Sequence, residues 1–177
     1  MTDTARLYQE LLGEAWSTLP ATTRALHSPE PDAVFEGEAD IERGESPAAW
    51  WLGMALRLPA AGEAVPARVR VTRDGSGEWL ERWYGGRRFA TFQDRSGAAL
   101  AEDFGPFRLF FQISGDPEGL CFHQQRVTLW GWPLPKMLAP RVEASERTAA
   151  GHHLFDVRLS LPGFGTIIHY RGKLRPA

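Results

Sequence analysis

Through most of this chain, turn-forming residues recur roughly every eight to twelve positions, and apolar and polar residues alternate between them with a period of two. Val65–Arg73 sets Val65, Ala67, Val69 and Val71 on one face and Arg68, Arg70 and Thr72 on the other. Asp74-Gly75-Ser76-Gly77 supplies the positive φ of a hairpin turn, and Gly85-Gly86 does the same between Glu78–Tyr84 and Arg87–Asp94. Ala98–Phe104, Phe107–Ser114, Leu120–Gly131, Arg141–Thr148, His152–Leu161 and Thr166–Leu174 continue the series. No connection is long enough for the crossover that parallel pairing needs. An antiparallel, up-and-down sheet of about ten strands is therefore predicted, strongly curved or closed into a barrel, because a flat sheet of that size would leave sticky edges. A two-sheet sandwich is the competing arrangement.

Two helical stretches precede or interrupt the strands. Leu7, Leu11, Leu12 and Ala15 repeat at helical spacing, which predicts a helix over 3–16 capped by Asp3 or Thr4; Thr22–Leu26 adds one more turn. Val34–Glu42 then alternates as a strand. Ser46-Pro47 opens a second helix, Ala48–Leu58, with Ser46 as N-cap and Pro47 in the first turn. Trp50, Trp51, Leu52, Met54, Ala55, Leu56 and Leu58 wrap nearly all round it, so it is expected to be buried on several sides or to cover an open apolar face. Pro133–Ala139 reads as a loop with a single helical turn. The expected organisation is mainly β with helices near the N-terminus (an α+β class), as one domain over 1–177. Residues 1–31 are its helical segment, and 32–177 form a barrel-like body covered by a helix at 47–58.

At 177 residues such a domain buries about 70% of its unfolded surface. Lys and Arg number 20 against 22 Asp and Glu, for a formal net charge of −2. That balance argues against nucleic acid and against a polybasic membrane-surface segment. Cys121 is the one cysteine, so no internal disulfide forms. The start of the chain does not read as a signal peptide, and no apolar run approaches the ~20 residues of a membrane span. A soluble, cytoplasmic protein is expected.

Chemistry-bearing residues are sparse. The aromatic-rich strands point to a concave small-molecule site, with Trp51, Trp79, Trp83 and Phe110 as candidate lining. Arg82 and Arg88, on the two arms of the Gly85-Gly86 hairpin, are placed to meet a carboxylate or phosphate, with Glu102 and Glu81 as alternative partners. His123 and Tyr170 complete the candidate ligand-binding set. His152 and His153 are neighbours on a strand and point to opposite faces, so they cannot share a metal; of His169 and Tyr170, one faces inward. Cys121 and His123, two apart on a strand, stand about 6–7 Å from each other, too far for a nucleophilic pair. No catalytic residue, metal site or cofactor is assigned.

Two resemblances extend this reading. Pro135-Lys136-x-Leu resembles the Pro-Lys-Lys-Leu segment around the Schiff-base lysine of acetoacetate decarboxylases, which implies a decarboxylase-like role for Lys136; Met137 stands where the second lysine would be. Leu7-Tyr8…Leu11-Leu12-Gly13, Glu42-Arg43-Gly44, Glu102-Asp103-Phe104-Gly105-Pro106, Pro133-Leu134-Pro135…Leu138-Ala139-Pro140 and Tyr170-Arg171-Gly172-Lys173-Leu174 resemble a bacterial family known only as a domain of unknown function. Its members occur alone or fused behind saccharopine-dehydrogenase-like NAD-binding modules. The resemblance implies work beside an NAD-dependent oxidoreductase, although no Gly-x-Gly-x-x-Gly follows a strand at the start of this chain. Three functions compete. The first is a binding domain for an apolar or amphipathic small molecule. The second is an enzyme of decarboxylase-like or cyclase-like type using Lys136, Arg82 or Glu102. The third is an interaction module for a separate oxidoreductase.

Overall fold

In a computed structural model, which describes residues 6–30 and 32–177, ten antiparallel strands close into a barrel. They are β1 (Asp32–Arg43), β2 (Gly62–Asp74), β3 (Gly77–Tyr84), β4 (Arg87–Ser96), β5 (Ala99–Phe104), β6 (Phe107–Asp116), β7 (Gly119–Leu129), β9 (Arg141–Ala149), β10 (His152–Leu161) and β11 (Gly165–Pro176). A two-residue strand, β8 (Trp132–Pro133), pairs with the end of β7 outside the ring. The sheet order β6-β5-β4-β3-β2-β1-β11-β10-β9-β7 becomes a ring because β6 also pairs with β7. Closure removes the free edges, so the sandwich alternative does not apply. Register shifts at Ala39/Ile41, Phe110/Phe111 and Leu159/Ser160 are bulges that help the sheet curve.

The helices occupy opposite ends. α1 (Leu7–Leu12), a 3₁₀ segment (Gly13–Thr18) and α2 (Ala21–Leu26) close the lower end. There Leu7, Tyr8, Trp16 and Leu19 join the apolar cluster of β5, β6 and β7, and Leu26 joins the cluster of β1, β2, β10 and β11. The predicted helix over 3–16 is thus cut short in its α-helical part. Gly13, at φ +55°, leaves the right-handed conformation and the chain tightens to 3₁₀ geometry. The proposed caps Asp3 and Thr4 lie outside the described residues.

α3 (Pro47–Ala55) spans the upper end between β1 and β2. Ser46 Oγ accepts from Ala49 N–H at 3.2 Å, the expected N-cap. The helix stops three residues before the predicted Leu58. Arg57 adopts φ +53°, its N–H donates to Met54 O and Leu58 N–H donates to Gly53 O, a Schellman closure made without glycine. Arg43, at the end of β1, lies under α3 and donates to Ala49 O at 3.1 Å and Pro59 O at 3.0 Å. Its guanidinium packs where Gly53 would carry a Cβ, which leaves no room for a side chain there. Leu52 of α3 and Leu56, its C-cap, point into the barrel, while Trp50, Trp51 and Met54 are exposed. Among the described residues no helix is long and apolar enough to cross a membrane.

Candidate functional site: the barrel interior

The two apolar clusters do not fill the barrel. Between them lies a cavity of about 450 Å³, within the range that small-molecule sites occupy. Alternation along each strand decides what lines it. On β3 Leu80, Arg82 and Tyr84 face inward; on β4, Phe89, Thr91 and Gln93; on β10, His153, Phe155, Val157, Leu159 and Leu161. Above, Leu52 of α3 and its C-cap Leu56 roof part of the space, and Leu134 and Leu138 border the rest. Leu138 lines the cavity and is also 65% exposed, so the mouth opens between α3 and the 134–138 segment.

Polar groups break the apolar wall in two places. At mid-depth, Arg82 donates through Nη1 to Thr91 Oγ1 at 3.0 Å and through Nη2 to Glu102 Oε1 at 3.2 Å, with its guanidinium over the Phe89 ring. Burial is the largest influence on Arg82 and works to lower its pKa, but Glu102, with Tyr170 and Tyr84, together outweigh it and leave it raised, so the guanidinium stays charged in its ion pair with Glu102. Tyr84 and Tyr170 stand beside this pair with ring centroids 5.6 Å apart. Neither hydroxyl has a hydrogen-bond partner among the described residues, and both side chains line the cavity. Burial raises both phenol pKa values, so at neutral pH each hydroxyl keeps its proton and can donate.

The floor carries the second group. His27 Nε2 meets Glu146 Oε2 at 2.7 Å, and His153 Nε2 lies 3.7 Å from the same oxygen. Tyr8 stacks on His27 at 3.8 Å and donates to Gln93 Oε1 at 2.9 Å. Burial, the largest influence, pulls the His27 pKa down, yet Glu146 and, to a lesser degree, Glu78 together more than reverse this and leave it raised. For His153 burial prevails and its pKa is lowered. Glu146, which burial alone would raise, is held down to about 2 by His27 and His153. The floor is thus an ion pair, His27⁺–Glu146⁻, with a neutral His153 beside it. Glu78, at the same end, is pushed up to about 7 by burial, and its Oε2 has no hydrogen-bond partner among the described residues.

Of the nine sequence-predicted ligand residues, Arg82, Glu102 and Tyr170 line the cavity together. The other six stand elsewhere. Trp51 is on the outer face of α3. Trp79 and Trp83 alternate with Leu80, Arg82 and Tyr84 and so face outward, Trp83 beneath Arg68 and Arg88. Arg88 pairs with Glu81 on the outer wall. Phe110 is buried on the outside under Arg126, whose guanidinium lies 4.0 Å from the ring centre. His123 is exposed, 3.2 Å from Ser114 Oγ. Of the adjacent pair, Tyr170 faces in and His169 faces out to Asp156 Oδ1 at 2.8 Å. Tyr8, His27, Tyr84, Gln93, Glu146 and His153 are cavity residues that the sequence reading did not select. Lys136 is exposed and does not line the cavity, which leaves no buried lysine for Schiff-base chemistry at that position. Among the described residues no group of three or more His, Cys, Asp or Glu is placed to hold a metal ion.

The family model for the domain of unknown function DUF4166 matches residues 19–174. No curated protein matches the chain. Among solved structures, a secretary abundant heat soluble (SAHS) protein from Ramazzottius varieornatus is similar at 7% identity and a TM-score of 0.43, over 82% of this chain and 93% of that one.

Proposed function

We propose, for a chain that belongs to the domain of unknown function family DUF4166, that the barrel interior binds a small amphipathic molecule bearing an oxygen acceptor. The observation that carries this reading is the open cavity of about 450 Å³, whose walls are mainly Leu, Ile, Val and Phe with a few convergent polar groups. A stable core of this size packs to crystal-like density, so a void this large with a mouth is a feature suited to an occupant. The Tyr84 and Tyr170 hydroxyls, donors without acceptors beside a charge-neutral Arg82–Glu102 pair, suit a carbonyl, hydroxyl or carboxylate oxygen. The aliphatic part of the ligand lies along the apolar walls toward the mouth.

Competition against a dansyl-labelled fatty acid tests the reading. Dodecanoate and dodecanol are expected to displace the probe better than dodecylamine, whose ammonium offers no acceptor. Tyr84→Phe with Tyr170→Phe is expected to weaken the acceptor-headed compounds about tenfold per lost hydrogen bond while the fold stays intact. Equal competition by all three compounds, unchanged by the double substitution, contradicts the assignment of the tyrosines.

A further inference from the structure

The upper end of the barrel carries apolar side chains that the monomer does not cover. Trp50, Trp51 and Met54 stand on the outer face of α3, Trp130 and Trp132 flank the β7–β8 turn, and Met137 follows in the segment at the mouth. Phe164 projects from the β10–β11 turn at the same end. These connections meet there: Trp130 N–H donates to Pro106 O, Gly44 N–H to Ile167 O, and Leu56 packs near Gly105. The other strongly exposed aromatic ring, Trp79, belongs to the opposite half, where its Nε1 donates to Asp74.

Charge is segregated the same way. Arg57, Arg87, Lys136, Arg141 and Arg158 are exposed in the upper part of the barrel with no carboxylate partner among the described residues, against Glu45, Glu63 and Glu143 as exposed acids there with no ion-pair partner among them. The near-neutral balance of the whole chain conceals this basic end. The apolar residues sit on the tips of separate connections around an opening. A plane can receive such a ring of tips, whereas a peptide helix or strand needs a groove. Tryptophan, with an apolar ring and one N–H, is suited to the headgroup boundary of a bilayer, and the cations to anionic lipid. The cavity mouth at Leu138 lies within this rim.

We propose that the upper end of the barrel docks on the surface of an anionic lipid bilayer, with the Trp50, Trp51, Trp130 and Trp132 rings in the headgroup region and the cavity mouth toward the lipid. Docking goes beyond cavity binding and does not require it. An amphipathic ligand would then enter the barrel from the bilayer without crossing water.

The test is sedimentation of the full chain with vesicles of phosphatidylcholine alone, or with about 30 mol % phosphatidylglycerol, read with tryptophan quenching by brominated lipid. Binding is expected to the anionic vesicles, about tenfold or more weaker to neutral ones and at high salt. Combined Trp51→Ser, Trp130→Ser and Trp132→Ser is expected to reduce binding about tenfold or more while thermal melting and dansyl-probe titration stay unchanged. A native chain that remains in the supernatant with both compositions overturns the proposal. So does a dimer in solution that the triple substitution dissolves, since a second copy would then be the occupant. Ala144→Trp, which obstructs the cavity, is expected to bind vesicles as the native chain does. A native chain that binds vesicles but no probe therefore supports docking and removes the cavity reading alone.

Discussion

Replacing Glu146 by glutamine removes the carboxylate that touches both His27 and His153 while keeping the shape of the side chain. The Glu146 pKa falls from 4.5 to about 2 on folding, a difference worth about 3 kcal/mol at ~1.4 kcal/mol per tenfold. Because the folded value is the lower one, this stability is fully present above pH 4.5 and is lost as pH falls toward 2. His27 releases its proton at pH 7 once the carboxylate is gone, so no charge is stranded and the loss is that of the Glu146 interaction itself. Glu146→Gln is therefore expected to lose about 3 kcal/mol at pH 7 in urea denaturation. Between pH 4.5 and 2 it is expected to lack the part of the native acid slope that Glu146 supplies. The His27 ring, followed by NMR, should titrate below its ordinary value in the variant, because burial then acts without the carboxylate that raises it. A variant within 0.5 kcal/mol of native at pH 7, with the acid slope intact and His27 unmoved, would falsify the ion-pair account of the floor.

Glu78 has the opposite sign. Its folded pKa of about 7 lies above the ordinary 4.5, so stability declines as pH rises from 4.5 to 7 and the full cost, up to about 3 kcal/mol, is felt above pH 7. Glu78→Gln is expected to be more stable than native at pH 8 and about equal at pH 4, measured by urea midpoint; no gain at pH 8 counts against a buried, ionisable Glu78. Arg43→Ala removes the donors to Ala49 O and Pro59 O that fasten α3 over the mouth. Faster amide exchange confined to α3 and the 56–61 connection is expected, and protection equal to native contradicts its role as the fastening of α3.

How legible was this molecule in its sequence? The strands were nearly all readable, because the alternation of Val65–Val71 or His153–Leu159 is imposed by a closed sheet with one dry face. Glycines at the hairpins made the connections equally plain. The same rule could have halved the list of site residues. Trp79 and Trp83 cannot share a face with Arg82, and Arg82 is inward because Leu80 and Tyr84 are. Aromatic size points to Trp79, Trp83 and Phe110, but on the outer wall Arg68 and Arg88 lie over Trp83, Arg126 lies over Phe110, and Trp79 is exposed with its Nε1 on Asp74, so bulk does not imply the interior. His153 was recoverable, since it begins the run His153-Phe155-Val157-Leu159. His27 and Tyr8 were not: they enter the barrel from the lower plug, and their meeting with Glu146 spans 119 residues in the case of His27. Pairings of that kind arise from tertiary closure and leave no local spacing to read. The basic, aromatic upper rim was hidden for a similar reason, as its parts come from α3 and two distant turns.

The central claim, that the interior is a binding site, rests on space that one large side chain can obstruct. Ala144 faces the cavity, and Ala144→Trp is expected to project an indole ring into it and obstruct it while leaving the barrel closed. Fluorescence titration with the dansyl-labelled fatty acid, on native chain and Ala144→Trp side by side, is the direct measurement. The account predicts one saturable site per chain in the native protein, and loss of that site in a variant that still melts cooperatively. A native chain with no saturable site, or a variant that titrates as the native chain does, contradicts it.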